Sequence, residues 1–264
     1  MAASIVLGML ASCSTQRGQT LEDLPTRADM VEAATAQFLT ENAPPEGFRE
    51  SVSFPEVDAG LNELPGWHYV VNLEFDGVFA RTPRETTATA SADVWFNQLG
   101  SARRVVVNTS GELIGRQENT QYEAVRLGPD AFLVQGNTCL SNAEQDAQTA
   151  ANLRAGELVG GIQRATPTGL HATLNNEEAW QYTFSASDLN LPSIHLSDEG
   201  QLLLNGGELW VAPARNAVIR FYVNLNVTNA IIFDRQLPVT GTVIIRYDLF
   251  DIGVAPNITV PFGC

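Results

Sequence analysis

The residue types that usually carry catalysis are few in this sequence, and their spacing matches no catalytic motif. All 15 basic residues are Arg, so a Schiff-base lysine, a phosphate-loop lysine and a Ser–Lys dyad are excluded. The three His, at 68, 171 and 195, lack metal-ligand spacing, and no Gly-x-Ser-x-Gly or His-Glu-x-x-His motif occurs. The pairs Glu177–Glu178 and Asp248/Asp251 fit the solvated surface of an acidic chain, with a glycosidase-like carboxylate pair as the open alternative. We therefore expect no enzyme, no metal site and no cofactor.

The first of the three cysteines follows a short apolar segment. Residues 2–10 are mostly apolar, and Leu10-Ala11-Ser12-Cys13 resembles the lipobox of bacterial lipoproteins, whose cysteine receives a diacylglycerol group and palmitate-type acyl chains. The apolar run is too short to span a bilayer. Because Met1–Ser4 lacks the usual positive charge, the alternative is an ordinary apolar N terminus with a chance cysteine. The pattern predicts a signal peptide over residues 1–12, lipidation at Cys13 and an extracytoplasmic, membrane-anchored protein of the cell envelope.

The other two cysteines form an even pair once Cys13 is acylated. Cys264 is the last residue of the sequence, where a disulfide to Cys139 would fix a terminus that would otherwise fray. Closing a loop of about 125 residues is worth about 4–5 kcal/mol in the chain-entropy model. We expect this bridge, and two unpaired buried thiols are the alternative.

The segment before the main domain divides into two parts. Residues 13–25 are polar and small, which is typical of a tether. Residues 26–66 form an N-terminal helix and extension, because Met30, Ala34 and Phe38 recur at helical spacing and predict a helix from 27 to about 41.

The remainder, residues 67–264, shows the alternation of half-buried strands. In two of its segments the apolar side chains Ile219, Phe221 and Val223, and likewise Val243 and Ile245, alternate with polar ones. Residues 141–160 interrupt the strands with a predicted helix. Strict alternation indicates an antiparallel sheet with one buried face. The predicted fold class is α+β: a strongly curved antiparallel sheet, a half-barrel of about ten strands, with two or three helices on its concave side.

Several segments together resemble the LolA/LolB-like superfamily, in particular envelope lipoproteins of the LppX/LprG type. They are the lipobox at Cys13, "LGPDAFLVQGNTC" from Leu127, "AGELVGGIQRATPTG" from Ala155, "GELWVAPARNAVIRFYVNL" from Gly207 and "YDLFDIGVAPNITVPFGC" from Tyr247. The resemblance covers roughly residues 67–264. It implies a half-barrel whose concave face encloses an apolar cavity for acyl chains.

The resemblance implies a lipoprotein that binds or carries a lipid or another hydrophobic ligand. Inward-facing apolar residues chosen by alternation would line the cavity, although each fits an ordinary core equally well: Leu73, Phe75, Phe79, Ile219, Phe221, Val223, Val243 and Ile245. The alternative is an envelope protein-binding or structural module on the same scaffold, with a solid core and an exposed apolar patch.

The charge of the chain limits its partners. Its formal net charge is -15, which opposes binding to phosphate backbones and docking on anionic lipid surfaces. We expect a monomer that binds an acyl-chain ligand, does not bind nucleic acid and contacts the membrane through its lipid anchor. An envelope protein partner is a further expectation.

Overall fold

The computed structural model describes residues 30–32, 35, 43–112, 119–141, 145–232 and 237–264. The chain forms two compact units, residues 1–44 and 45–264. In the first unit, residues 30–32 and 35 are helical, and the Thr35 hydroxyl donates a hydrogen bond to the Val31 carbonyl at 2.7 Å. The predicted signal peptide, Cys13, the tether and the other positions of the predicted helix lie outside the described residues.

The second unit is built around one antiparallel sheet. Its described residues contain 13 strands, more than the roughly ten expected. The strands are β1 (Val52–Phe54), β2 (Gly66–Phe79), β3 (Glu85–Asn97), β4 (Ala102–Gly111), β5 (Thr120–Leu127), β6 (Asp130–Gln135), β7 (Thr138–Ser141), β8 (Gly161–Leu174), β9 (Glu177–Thr183), β10 (Leu189–Asn190), β11 (Ile194–Ala212), β12 (Ala217–Ile232) and β13 (Val239–Phe250). The helices are α1 (Gln145–Ala151) and α2 (Ala155–Val159), with short 3-10 turns at Leu61–Glu63, Ala186–Asp188 and Pro213–Arg215.

The strands are ordered β1-β8-β9-β11-β12-β13-β2-β3-β4-β5-β6-β7, with β10 paired to β8. This is an open sheet made of two meanders. Strands β2 to β7 follow one another in sequence, and the strands from β8 onward form the other half. The halves meet where β13 pairs with β2 along an uninterrupted register from Val239–Phe79 to Phe250–His68. The predicted antiparallel arrangement is therefore confirmed.

The core lies on one face of this sheet, because side chains at alternate positions of a strand point to the same side. Phe221, Tyr247, Val71 and Ala92 stand in one row across β12, β13, β2 and β3, and all four are buried. The alternation in the sequence thus places an apolar face on the four central strands.

A helical segment connects β7 to β8 and lies against the apolar face. The predicted helix over residues 141–160 is divided in two, since α1 ends at Ala151 and α2 begins at Ala155. Between them, the Leu153 carbonyl accepts hydrogen bonds from Tyr69 of β2 at 3.4 Å and from Arg103 of β4. These contacts fix the linker over the buried side of β2 and β4.

The C-terminal tail crosses the ends of the central strands. The Gly253 amide donates to the Gly66 carbonyl at 2.9 Å, and the Asn97 side chain donates to the Pro256 carbonyl at 2.8 Å. A Cβ at Gly66 would lie 2.3 Å from the Val254 carbonyl oxygen, so this crossing requires glycine. Residues 251–264 form no strand, because the tail runs across the strand ends and pairs with none of the described strands.

Candidate functional site

The apolar residues predicted to line a cavity lie together on the buried face. All eight are on β2, β12 and β13, which are adjacent, and none is more than 8% exposed. In the register, Leu73 stands beside Ile245, which stands beside Val223. They form one continuous apolar surface.

Part of this surface is covered and tightly packed. Its Leu73, Val243 and Ile245 line a cavity with a volume of about 10 Å³, together with Leu158, Val159, Leu191, Ser193, Ile194 and Ile232. The Ser193 hydroxyl, just before β11, donates a hydrogen bond to the Leu158 carbonyl of α2 at 2.6 Å and so connects these two segments above the sheet. Such a volume admits a single water molecule at most. At this position the space between sheet and helix is filled by side chains.

An open pocket lies at the far end of the same face, beside Phe79. It has a volume of about 380 Å³ and is lined by Phe79, Ala80, Arg81, Thr82, Arg84, Leu237 and Pro238. The turn after β2 and the residues before β13 form its walls, joined by a hydrogen bond from the Ala80 amide to the Pro238 carbonyl at 2.9 Å. We call this the Phe79 pocket.

The charges at the Phe79 pocket come from two arginines. The Arg84 guanidinium lies 5.3 Å from the centre of the Phe79 ring and forms an ion pair with Glu112. Arg81 is exposed and has no ion pair within the described part of the chain. The pocket therefore combines an apolar wall with positive charge at its mouth.

The three histidines are separated and belong to no shared site. The Nε2 atom of His68 lies 3.5 Å from the Asp93 carboxylate on the side of the sheet away from the core. His171 stacks on Trp180 with ring centres 5.1 Å apart, and His195 is exposed on β11. The three imidazoles therefore lie at separate positions, and no neighbouring residue among those described brings them into one site.

One carboxylate of each acidic pair forms an ion pair with an arginine. Glu177 lies 3.4 Å from Arg215, and Asp248 lies 2.7 Å from Arg220. Among the described residues, no group of three or more His, Cys, Asp or Glu side chains is placed to hold a metal ion. None of the described helices is long and apolar enough to cross a membrane.

The structure places Cys139 and Cys264 at disulfide distance. Their sulfurs are 1.99 Å apart and their Cα atoms 5.4 Å apart, within the usual range for a bridge. Cys139 is on β7, an edge strand, and Cys264 ends the tail that leaves β13. The pair connects the tail of the central strand β13 to the edge strand β7, which is six strands away in the strand order.

Most residues of the Phe79 pocket were not predicted from the sequence. Phe79 was included because it continues the alternation of β2, whereas Arg81, Leu237 and Pro238 lie in connecting segments without periodicity. Their proximity follows from the pairing of Val239 with Phe79, which joins positions 160 residues apart in sequence. Local patterns do not encode that pairing.

Comparisons with known proteins give structural similarities only. No protein-family model matches the chain, and no curated protein matches it in sequence. Solved structures similar to it include LprF from Mycobacterium bovis, with 13% identity, a TM-score of 0.35, and 79% of this chain and 93% of that chain covered. A LolA superfamily protein from Nitrosomonas europaea has 10% identity and a TM-score of 0.22, with 86% of this chain and 94% of that chain covered. A DUF1329 family protein from Desulfovibrio piger has 7% identity and a TM-score of 0.22, with 75% of this chain and 89% of that chain covered.

One of these structures belongs to the LolA superfamily, which several segments of the sequence resemble. At TM-scores this low, none of the similarities carries an argument about what the chain binds.

Proposed function

We propose that this protein is an extracytoplasmic lipoprotein of the cell envelope that binds a hydrophobic ligand, such as an acyl chain, in the Phe79 pocket. The pocket itself is the observation that carries the proposal. Its volume of about 380 Å³ falls in the range of small-molecule sites, and most of its wall is apolar. Binding to such a wall is favourable because it transfers the ligand's apolar surface out of water.

The pocket continues the buried apolar face. Phe75 and Phe79 point to the same side of β2, and Val239 stands beside Phe79 on β13. A ligand in the pocket would therefore contact the edge of the core and exclude water from it. The interior near Leu73 is packed, so the proposal places the ligand at this end of the sheet.

Fluorescent fatty-acid titration of the wild-type protein tests this proposal with one pair of variants. Leu237 is 59% exposed in the pocket wall, and Leu203 is 62% exposed on β11, so Leu237→Asp and Leu203→Asp are matched in chemistry and exposure. We expect saturable binding in the wild type, at least tenfold weaker binding in Leu237→Asp, and no change in Leu203→Asp. Equal affinities in the two variants would refute the pocket assignment.

Anchoring at Cys13 is a separate part of the proposal. Two or three acyl chains hold a protein stably on a membrane, whereas one gives only marginal binding. After expression of the full chain in a bacterial host, we expect the protein in the membrane fraction with the added mass of a diacylglycerol group. A Cys13→Ser variant should be released from the membrane. Retention of that variant would show that another segment anchors the chain.

A second candidate function is an envelope protein-binding module without a ligand cavity. The filled space beside Leu73, Val243 and Ile245 favours it, because a carrier with an internal tunnel would be hollow there. The titration separates the two functions: a wild-type protein that takes up no fatty acid and shows no co-purified lipid by native mass spectrometry would support the module.

A further inference from the structure

Two arginines stand directly opposite each other on the core side of the sheet. Arg103 of β4 pairs in register with Arg126 of β5, so their Cβ atoms are about 5 Å apart. Arg103 is only 5% exposed, and Arg126 is half-buried at the rim. Like charges directly opposite in a sheet destabilise it, and burial increases the cost.

Neither guanidinium has a carboxylate partner within the described part of the chain. Arg103 donates to the Tyr69 hydroxyl at 3.0 Å and to the Leu153 carbonyl, and Arg126 donates to the Asn152 side-chain oxygen at 2.6 Å. The Nε–H groups of both arginines are buried without a hydrogen-bond partner among these residues. Two cationic donors at one place are therefore left unused.

Five other described arginines lie beside carboxylates. Described ion pairs to carboxylates engage Arg84, Arg104, Arg154, Arg215 and Arg220. With 30 acidic residues against 15 basic ones, carboxylates are not scarce. The other described arginines without an ion pair, Arg49, Arg81, Arg164 and Arg246, are all exposed, so Arg103 and Arg126 differ in being buried and half-buried without a carboxylate partner.

The nearest buried carboxylate is already satisfied. Asp58 accepts hydrogen bonds from the Ala155 amide at 3.1 Å and the Gly156 amide at 2.9 Å, and it lies 3.7 Å from Arg154. It makes no ion pair with Arg103. Burial, and next the charge of Arg103, lower the pKa of Arg126, which agrees with two neighbouring guanidiniums that lack a carboxylate partner. The Arg103 guanidinium is also 5.3 Å from the centre of the Trp67 ring.

We propose that Arg103 and Arg126 form a binding site for an oxyanion, a phosphate or a carboxylate, beneath the linker at Asn152–Leu153. Planar guanidiniums bind such groups through paired charge-assisted hydrogen bonds. The anion would use the free Nε–H donors and neutralise the repulsion between the two cations. Arg126 is the partly exposed member of the pair, so an anion would enter from its side.

This site is distinct from the Phe79 pocket. Tyr69, which contacts Arg103, and Phe79 are ten positions apart on β2, a distance of about 33 Å in an extended strand. The anion site does not depend on the proposed function, and either can fail alone. Its ligand is a free oxyanion or the headgroup of an amphiphile, which share the same recognition chemistry.

Isothermal titration calorimetry of the purified protein with inorganic phosphate, acetate and a short-chain phosphatidic acid below its micellar concentration tests the proposal. Arg126→Gln removes the rim guanidinium with little risk to folding. Arg104→Gln, on the neighbouring position of β4 and the opposite face, is the matched control. Circular dichroism and thermal unfolding establish that both variants fold.

We expect saturable binding of at least one of these anions in the wild type and in Arg104→Gln, and at least tenfold weaker binding in Arg126→Gln. Phosphate or acetate binding as tight as phosphatidic acid binding would identify a free oxyanion as sufficient; tighter phosphatidic acid binding would identify a headgroup. Either outcome supports the site. Absence of binding by all three probes, or equal affinity in wild type and Arg126→Gln, would overturn it.

Discussion

Tyr247 is fully buried on β13, and its hydroxyl has no hydrogen-bond partner among the described residues. A buried polar group without a partner costs about 1–3 kcal/mol. We therefore expect Tyr247→Phe to keep or raise the free energy of unfolding, by up to about 1 kcal/mol, measured by urea denaturation at neutral pH. A loss of more than about 1 kcal/mol would contradict this and indicate a bound water or another partner.

The matched control is Tyr182→Phe. The Tyr182 hydroxyl donates to the Arg49 carbonyl at 3.0 Å, so its removal should cost about 1 kcal/mol. The two substitutions delete the same atom from two buried rings. Only the hydrogen bond differs.

The same tyrosine predicts sensitivity to alkaline pH. Burial raises the pKa of Tyr247 well above its ordinary value of 10.0, and burial also raises the pKa of Tyr69. Because the folded-state pKa is raised, the unfolded state loses its phenol proton more readily, so the free energy of unfolding is independent of this group below about pH 10 and decreases as the pH rises above it. Unfolding free energy should fall from about pH 10 upward, and less steeply in Tyr247→Phe. Parallel pH profiles for wild type and variant would contradict this assignment.

At the scale of elements, α2 depends on a side chain from a distant segment. The Asp58 carboxylate is 8% exposed and accepts the first two amide groups of the helix, those of Ala155 and Gly156. Asp58→Ala should lower the free energy of unfolding by about 2 kcal/mol. Asp58→Asn, which keeps one oxygen acceptor, should lose less.

The exposed Asp76 on β2 provides the comparison for this prediction. Asp76→Ala should change the unfolding free energy by less than about 0.5 kcal/mol. Urea denaturation of the three variants is the measurement. Similar losses in Asp58→Ala and Asp76→Ala would show that the helix does not depend on its carboxylate cap.

Elements with regular alternation could be predicted from the sequence, and irregular ones could not. β12 and β13 were evident because apolar residues occupy every second position. β8 was missed because Pro167 and Gly169 interrupt it, and its pairing with β9 shifts between Pro167 and His171. The sequence does not mark β11 along its length, because Leu202–Leu204 and the shifts after Leu196 and Leu204 break the period of two.

At the scale of the whole molecule, the sites depend on contacts that no local pattern contains. The alternation predicted that Phe79 faces inward, but the Phe79 pocket also requires Leu237, which the register of β13 with β2 brings to it. The opposition of Arg103 and Arg126 likewise depends on the β4–β5 register. A one-residue slip would place one of them on the other face.

The two halves of the sheet are held together in two ways. The first is the β13–β2 ladder at its centre. The second is the tail after β13, which crosses β2 and β3 and reaches Cys139 on β7. The exposed residues of this tail, such as Phe262, contribute little buried area. Covalent attachment is therefore what we expect to hold its end.

Replacing both Cys139 and Cys264 by Ser tests that expectation. The bridge joins positions 125 residues apart, and removing it should lower the free energy of unfolding by about 4–5 kcal/mol in the chain-entropy model. Using the double variant avoids leaving a reactive free thiol. Urea denaturation of the variant and of wild-type protein reduced with dithiothreitol should give the same loss.

Hydrogen exchange locates the effect. Because the sheet is internally paired, protection should be lost first in residues 251–264 and on β7, while the central ladder of β13 with β2 keeps its protection. A loss below about 1 kcal/mol, with the tail still protected, would show that its contacts at Gly66 and Asn97 are sufficient. The bridge would then be a minor contributor to the stability of the sheet.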